Sequence, residues 1–269
     1  MAEPTLNMKM TYLSGCIGSQ LGYGRGEDNG ERVWTTHQAG KVRQFLDSGL
    51  RWFYWPEPLP GEKEAHSWSF MHPSVTITLG EGLSSYRLPG DFGGLEGRIT
   101  LARDDNSYFP LEVRSEAFVR EMLARLPEQT GTPLVAAIAP LRQQVPTGSP
   151  RCELLWHPLA DADYTATLPY YFIPDALTSK NEWAYGGAEH AETLLAACFA
   201  AGEQIGDGVQ NGPLYNLFVR RLAASISLDR RKQPQNYGYN ADRSDHLYGD
   251  GHGRPLRNAM VSFNGSFYE

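Results

Sequence analysis

Two histidines, His66 and His72, stand six residues apart around Ser67-Trp-Ser-Phe-Met71, a stretch that reads as a strand. Alternate residues of a strand share a face, so this spacing permits a metal pair. An interface or turn role is the stronger expectation. Paired carboxylates occur at Asp104-Asp105 and at Asp161 and Asp163. Such pairs can divide acid and base work, but both lie in turn-like sequence, where aspartate stabilises its own backbone. Gly22-Tyr-Gly24-Arg-Gly26 is glycine-rich. It follows no buried strand and lacks the GxGxxG spacing of a phosphate cradle, so a flexible turn is expected. His252, between Gly251 and Gly253, lacks the rigid support that catalysis wants. The chain holds no HExxH, GxSxG or GxxxxGKS/T pattern. The expectation is therefore a protein that is not an enzyme, with no cofactor and no metal.

The elements that position these residues fall into three runs. Met10 to Leu21 is one weak helix with Tyr12, Leu13, Cys16 and Ile17, ending at the glycines. Val33 to Trp55 carries Val42, Phe45, Leu46, Gly49, Leu50 and Phe53 at helical spacing, and Pro56, Pro58 and Pro60 stop it. Strand-like stretches follow: Ser67–Met71, Val75–Leu79, Tyr86–Leu88, Gly97–Ala102, Leu111–Val113, Leu134–Ile138, Cys152–Trp156 and Tyr164–Phe172. One helix, Ser115 to Leu126, interrupts them. This middle region reads as antiparallel β, a small sandwich or open barrel. Helical spacing returns at His190–Ile205 with Leu194, Leu195, Cys198 and Phe199. A second helix opens at Asn211-Gly-Pro213 and carries Leu214, Leu217, Phe218, Leu222 and Ile226. The short link between them predicts antiparallel packing.

Composition narrows the function classes. Hydrophobic residues make up 41% of the 269, enough for a core, and charged residues only 20%, too few for a disordered polyelectrolyte. A net charge of −7 argues against a dedicated grip on nucleic-acid phosphates. Fourteen tyrosines and six tryptophans suit extensive interfaces. Cys16, Cys152 and Cys198 form no CxxC pair and read as reduced thiols. The first ten residues lack the pattern of a secretory leader, and no apolar run reaches the roughly 20 residues of a membrane span. Synthesis in a cytoplasm is expected. Asn264-Gly-Ser266 matches a glycosylation acceptor, which matters only in a secreted protein.

From Gln233 to Glu269 the periodicity ends. This tail is too polar and glycine-rich for a core, yet it carries Tyr237, Tyr239, Tyr248, Phe263, Phe267 and Tyr268, with Arg243 and His246 among them. An arm that orders on a partner fits that composition, and these eight residues are the candidate contacts. Arg220, Arg221, Arg230, Arg231 and Lys232 cluster on and after the last helix. They either complement that helix's C-terminal dipole or form a basic edge that meets an acidic neighbouring subunit.

One pattern is informative as a whole. Val42-Arg-Gln-Phe-Leu-Asp-Ser-Gly-Leu-Arg-Trp-Phe-Tyr-Trp-Pro-Glu-Pro-Leu-Pro-Gly61 leads to His66-Ser-Trp-Ser-Phe70 and the Val75–Leu79 strand. Later come Tyr164-Thr-Ala-Thr-Leu-Pro-Tyr-Tyr-Phe172, then His190-Ala-Glu-Thr-Leu-Leu-Ala-Ala-Cys-Phe-Ala-Ala-Gly-Glu-Gln204, then a helix ending in Asp229-Arg-Arg-Lys232. From about Met10 to Arg243 the chain resembles the head-to-tail adaptor (connector, neck) proteins of tailed bacteriophages, by element order and helix texture.

That resemblance implies an α+β protein with a helical bundle core, an inserted antiparallel β-rich domain and an extended C-terminal arm. Residues 1–60 and 175–232 would form the core, 61–174 the insertion and 233–269 the arm. It further implies a dodecameric ring in the virion neck, between capsid and tail. The partners would be further copies of the chain, the portal protein, and tail nozzle, tail-tube or fibre proteins. Genomic DNA would pass through the lumen without specific binding, aided by an acidic wall that repels phosphate. Two rival expectations are a virion-associated glycan-processing enzyme, with sugar held by the aromatic middle region, and a monomeric β-sandwich binding module.

Overall fold

Helix α2 (Thr36–Tyr54) begins at a capping box: the Thr35 hydroxyl accepts from the Gln38 amide at 3.3 Å, and the Gln38 side chain accepts from the Thr35 amide at 2.9 Å. It ends before Pro56, because a residue preceding proline is driven out of helical conformation. The structure is a computed structural model that describes residue 6, residues 8–102, 108–141 and 151–232, and the strand backbone of 261–263 and 266–268. The chain divides into two compact units, Met1–Lys232 and Gln233–Glu269.

In the first unit, α2 buries Val42, Phe45, Leu46, Gly49, Leu50 and Phe53. It packs against α4 (Ala191–Gly206), which also meets α1 (Met10–Gln20) and α5 (Pro213–Lys232). Because α4 is enclosed on several sides, it is buried almost all round, and Ala196, Ala197, Ala200 and Ala201 suit that position. Gly49 sets the closest approach: a Cβ there would lie 2.5 Å from the Cys198 Cα. The α4–α5 hairpin is fastened by Glu203, whose buried carboxylate accepts from the Leu214 and Tyr215 amides at 3.3 and 2.9 Å. A negative group is favoured at that positive helix end. Gly212 leaves the room, since a Cβ there would sit 2.3 Å from the Glu203 carboxyl carbon.

The strands are β1 (Ser74–Leu79), β2 (Ser85–Arg87), β3 (Phe92–Leu95), β4 (Ile99–Ala102), β5 (Tyr108–Val113), β7 (Val135–Pro140), β8 (Cys152–His157) and β10 (Tyr164–Phe172). Their order in the sheet is β1-β10-β4-β5-β7-β8-β2, and β3 pairs with the far end of β10. The two edge strands, β1 and β2, are consecutive in the chain. Their link bonds to Ala160 from Gly82 N at 2.8 Å, so the sheet curls into a nearly closed barrel. The β10 side chains alternate, with Tyr164, Ala166, Leu168, Tyr170 and Phe172 buried. Ile77, Leu79, Ile99, Leu101, Leu111, Leu154 and Trp156 join them in one apolar cluster that continues into the helices.

The pairing is antiparallel except between β5 and β7, which the helix α3 (Glu116–Arg125) connects, and in the short pair β6 (Thr130–Gly131) and β9 (Leu159–Ala160). A parallel pair needs such a crossover. Helix α3 covers the outer faces of β7 and β8, where Val119 packs with Ala137, Ala139 and Leu155. Both faces of β7 are thus buried, which is why its sequence is continuously apolar rather than alternating.

The protein is therefore α+β, with helices and a barrel-like β region. Ser67–Met71, expected as a strand, instead ends in a 3-10 turn at Ser69–Met71. The cause is Trp68, whose indole N–H donates to the Phe53 carbonyl at 2.7 Å and draws the chain beneath the end of α2. Strand β3 was not expected, because Gly93-Gly94 carries no strand signal. In the second unit, β11 (Val261–Phe263) and β12 (Ser266–Tyr268) pair as a hairpin. Its signal was available: Asn264-Gly265 between alternating apolar residues favours a two-residue turn.

Candidate functional site: an aromatic groove beside the proline stop

The last turn of α2 brings Trp52 and Trp55 to the surface, and Pro58, Leu59 and Pro60 continue past it as a stiff edge. The α4–α5 turn faces this edge. Asn211 in that turn takes a left-handed conformation, φ 57°, which asparagine tolerates. The first turns of α5 then supply Tyr215, Phe218, Val219 and Leu222. Between these walls lies a groove of about 660 Å³.

Its floor is a set of interlocked rings. Trp52 stands perpendicular to Tyr215, with centroids 6.2 Å apart, and lies 6.4 Å from Phe218. Trp55 is 45% exposed, yet it is fixed, because its indole N–H donates to the Tyr171 hydroxyl of β10. Burial pushes the Tyr171 phenol up, partly opposed by that bond. Gln204, Gln210, Asn211 and Asn216 add carboxamides around the rings, and Glu57 is the one carboxylate among the described lining residues. Among the described residues, no lysine or arginine lines the groove.

A second polar cluster joins the 62–72 segment to the end of α5. Asp229 is only 1% exposed and accepts from His66 at 2.9 Å, from the Ser69 amide at 3.0 Å and from the Ser69 hydroxyl. Burial alone would raise its carboxyl, but the bonds from Ser69 and His66 outweigh burial and hold it below the usual range. Here the acid sits between the hydroxyl and the imidazole. The serine hydroxyl bonds the carboxylate and not the imidazole, so the trio is not ordered as a hydroxyl–imidazole–carboxylate relay and instead fastens the chain. His190 lies beside it, buried among Phe53, Trp68 and Phe70, and burial lowers its imidazole below the ordinary value.

The residues singled out in the sequence are dispersed. His66 turns to Asp229, whereas His72 meets Ser67 at 2.8 Å and Glu96, so the two histidines have separate partners. Asp161 accepts from the Tyr164 hydroxyl at 2.6 Å, and Asp163 accepts from the Glu81 amide of the β1–β2 link at 2.9 Å, so the two carboxylates have separate partners. Asp104, Asp105 and His252 lie outside the described residues. The glycine loop packs on Trp34: a Cβ on Gly26 would come within 2.9 Å of its ring, and one on Gly18 of α1 within 2.3 Å. Arg221 pairs with Glu192 at 2.8 Å, Arg230 with Glu62 at 2.7 Å, and Lys232 with Glu189. Arg220 and Arg231 are exposed and have no ion pair among the described residues. Of the arm candidates, Phe263 lies on β11 and Phe267 and Tyr268 on β12. Tyr237, Tyr239, Arg243, His246 and Tyr248 lie outside the described residues.

Sequence reasoning missed the groove, Glu203 and the Asp229 cluster. Trp52, Trp55 and the prolines were visible only as a helix stop, and Asp229 only as the neighbour of a basic run. Comparison with known protein families finds no matching family, and comparison with curated proteins finds no similar one.

Proposed function

We propose that the protein is a structural component of a tailed-phage virion: a ring-forming head-to-tail adaptor that joins portal to tail and lines the DNA channel. The observation that carries this reading is the order of its elements. A long helix ends in an aromatic, proline-rich stop (α2), a barrel-like β region follows, and an antiparallel hairpin (α4–α5) leads directly into an aromatic tail. The outer face of α5 adds support. Arg220 and Arg231, three helical turns apart, share that face and are available to an acidic neighbour in a head-to-tail contact, the kind that closes into a ring.

The groove chemistry favours binding over glycan hydrolysis. Cleaving a glycosidic bond commonly takes two carboxyl groups across the bond, and the described lining residues offer Glu57 alone.

Native mass spectrometry of the protein, alone and mixed with its cognate portal ring, tests the proposal. About a dozen copies added per portal ring is the expected result. A monomer that ignores the portal overturns it and moves the weight to a monomeric binding module.

A further inference from the structure

We infer that the groove between the proline stop and the α4–α5 turn is a docking site for an extended, proline-bearing segment of a partner protein that carries a basic residue. The inference goes beyond the adaptor reading and stands without it.

Four observations lead to it. First, the part-exposed rings form a notch and not a platform: Trp52 and Tyr215 meet at 89°, above the buried Phe218. A sugar stacks best on a flat, open face, whereas the ridges of a polyproline helix seat between crossed rings. Second, the groove is built before any partner arrives. Trp55 is tied to Tyr171, and the edge is Pro58-Leu-Pro60, so little side-chain freedom is lost on docking. Third, the carboxamides suit a proline-rich backbone. Proline lacks an N–H but keeps its carbonyl, and an extended segment makes no internal hydrogen bonds. Gln204, Gln210 and Asn216 supply donors for those carbonyls; one Asn216 N–H already goes to the Asn211 carbonyl at 3.1 Å, which leaves the other. Fourth, the charge is one-sided. Glu57 is exposed at the rim, has no ion pair among the described residues, and faces no cation in the lining. A lysine or arginine flanking the prolines complements it.

The test uses the full chain and four defined probes, followed by tryptophan fluorescence and calorimetry. Two are proline-rich decapeptides with arginine at both ends or glutamate at both ends. One is a glycine-serine decapeptide with terminal arginines, and one is a hexamer of N-acetylglucosamine. The expected result is saturable binding of the arginine-flanked proline peptide, roughly tenfold weaker binding of its glutamate-flanked twin, and none of the other two. In Glu57→Lys the preference between the two proline peptides should reverse. Val219→Glu, in the groove wall, should abolish binding, with thermal melts confirming that both variants fold. Three outcomes overturn the inference. One is no saturation by either proline peptide at millimolar concentration. Another is a peptide preference unchanged by Glu57→Lys. The third is occupation of the groove by the sugar or by a second copy of the chain, seen as self-association that Val219→Glu removes. Probe binding does not enter the count of copies added per portal ring, so the two proposals fail separately; self-association through the groove would show in the mass of the protein alone.

Discussion

The helical layer and the barrel-like sheet share one apolar cluster but are packed by different means. Among the helices, backbones come nearly into contact: Gly49 meets Cys198, and alanines fill the faces of α4. Burial there pushes the Cys198 thiol up to about 12. Inside the sheet, side chains of unequal size alternate, with Trp156 opposite Ala136 and Ala166 between Ile77 and Leu101. Polar groups divide just as unevenly. Ser48, His190, Thr193, Glu203, Ser225 and Asp229 are buried among the helices, while His157 is the sheet's one buried polar residue among those described. Sheet register follows from alternation and ladder bonds. Helices can slide and rotate, so close contacts and satisfied polar pairs, such as Thr193 with Ser225 at 2.6 Å, are what fix their positions.

The sharpest way to break this contrast is to enlarge one small residue in each region. Gly49→Val drives a side chain into the α4 backbone and should cost about 3 kcal/mol or more, enough to threaten folding. Ala166→Val makes a similar change inside the sheet, where neighbouring side chains can shift, and should cost about 1–2 kcal/mol. Urea denaturation followed by circular dichroism measures both. Equal losses would mean that the helical layer is no more tightly fitted than the sheet.

A finer comparison uses the two fully buried tryptophans. Trp68 donates to the Phe53 carbonyl at 2.7 Å, near the end of α2, where helical carbonyls lack partners of their own. The Trp156 indole N–H has no partner among the described residues. Phenylalanine at either position removes ring volume and the N–H, but only Trp68→Phe strands an acceptor. It should be less stable than Trp156→Phe by about 1–2 kcal/mol. Matching denaturation midpoints would remove the polar half of the contrast.

The smallest expected effect is on pH dependence, to which each region contributes one histidine. Burial lowers the imidazole of His157 in the sheet and of His190 among the helices below the ordinary value. The unfolded chain binds these protons near about pH 6.5, and the folded chain only below that. Their stabilisation is therefore full above about pH 6.5 and is lost as pH falls toward the folded values. The denaturation midpoint should drop between pH 7 and 5, and His157→Phe and His190→Phe should each flatten part of that slope. A slope unchanged by either variant would show that neither imidazole is kept neutral by the fold. Asp229, also held low, adds to the loss at more acidic pH.

Much of the fold was legible in the sequence. Pro56, Pro213 and the apolar spacing of α2 located helix ends and faces, because stops and periodicity act within a few residues. The strand-like stretches Val75–Leu79, Leu134–Ile138 and Tyr164–Phe172 fall on β1, β7 and β10. The same local signals misread Ser67–Met71, where a contact from Trp68 to α2 overrides local preference. The hairpin at β11 and β12 had a readable turn signal that the tail's polar composition obscured.

The candidate site was hardly legible at all. Its residue types could be seen in the sequence, but their company could not. Trp52 to Pro60 and Gln204 to Leu222 are far apart in the chain, and each alone reads as a helix end. Likewise Asp229 looked like the start of a basic run until His66 and Ser69 closed on it. The sequence by itself determined most of the helices and long strands, the stop of α2 and the start of α5, and which helix faces are apolar, because those properties come from neighbours within a turn or a strand. Only the tertiary structure decided which helix ends meet, which carboxylates are paired and buried, and where aromatic rings remain open to a partner. Those outcomes depend on contacts between segments distant in the chain, which no local pattern encodes.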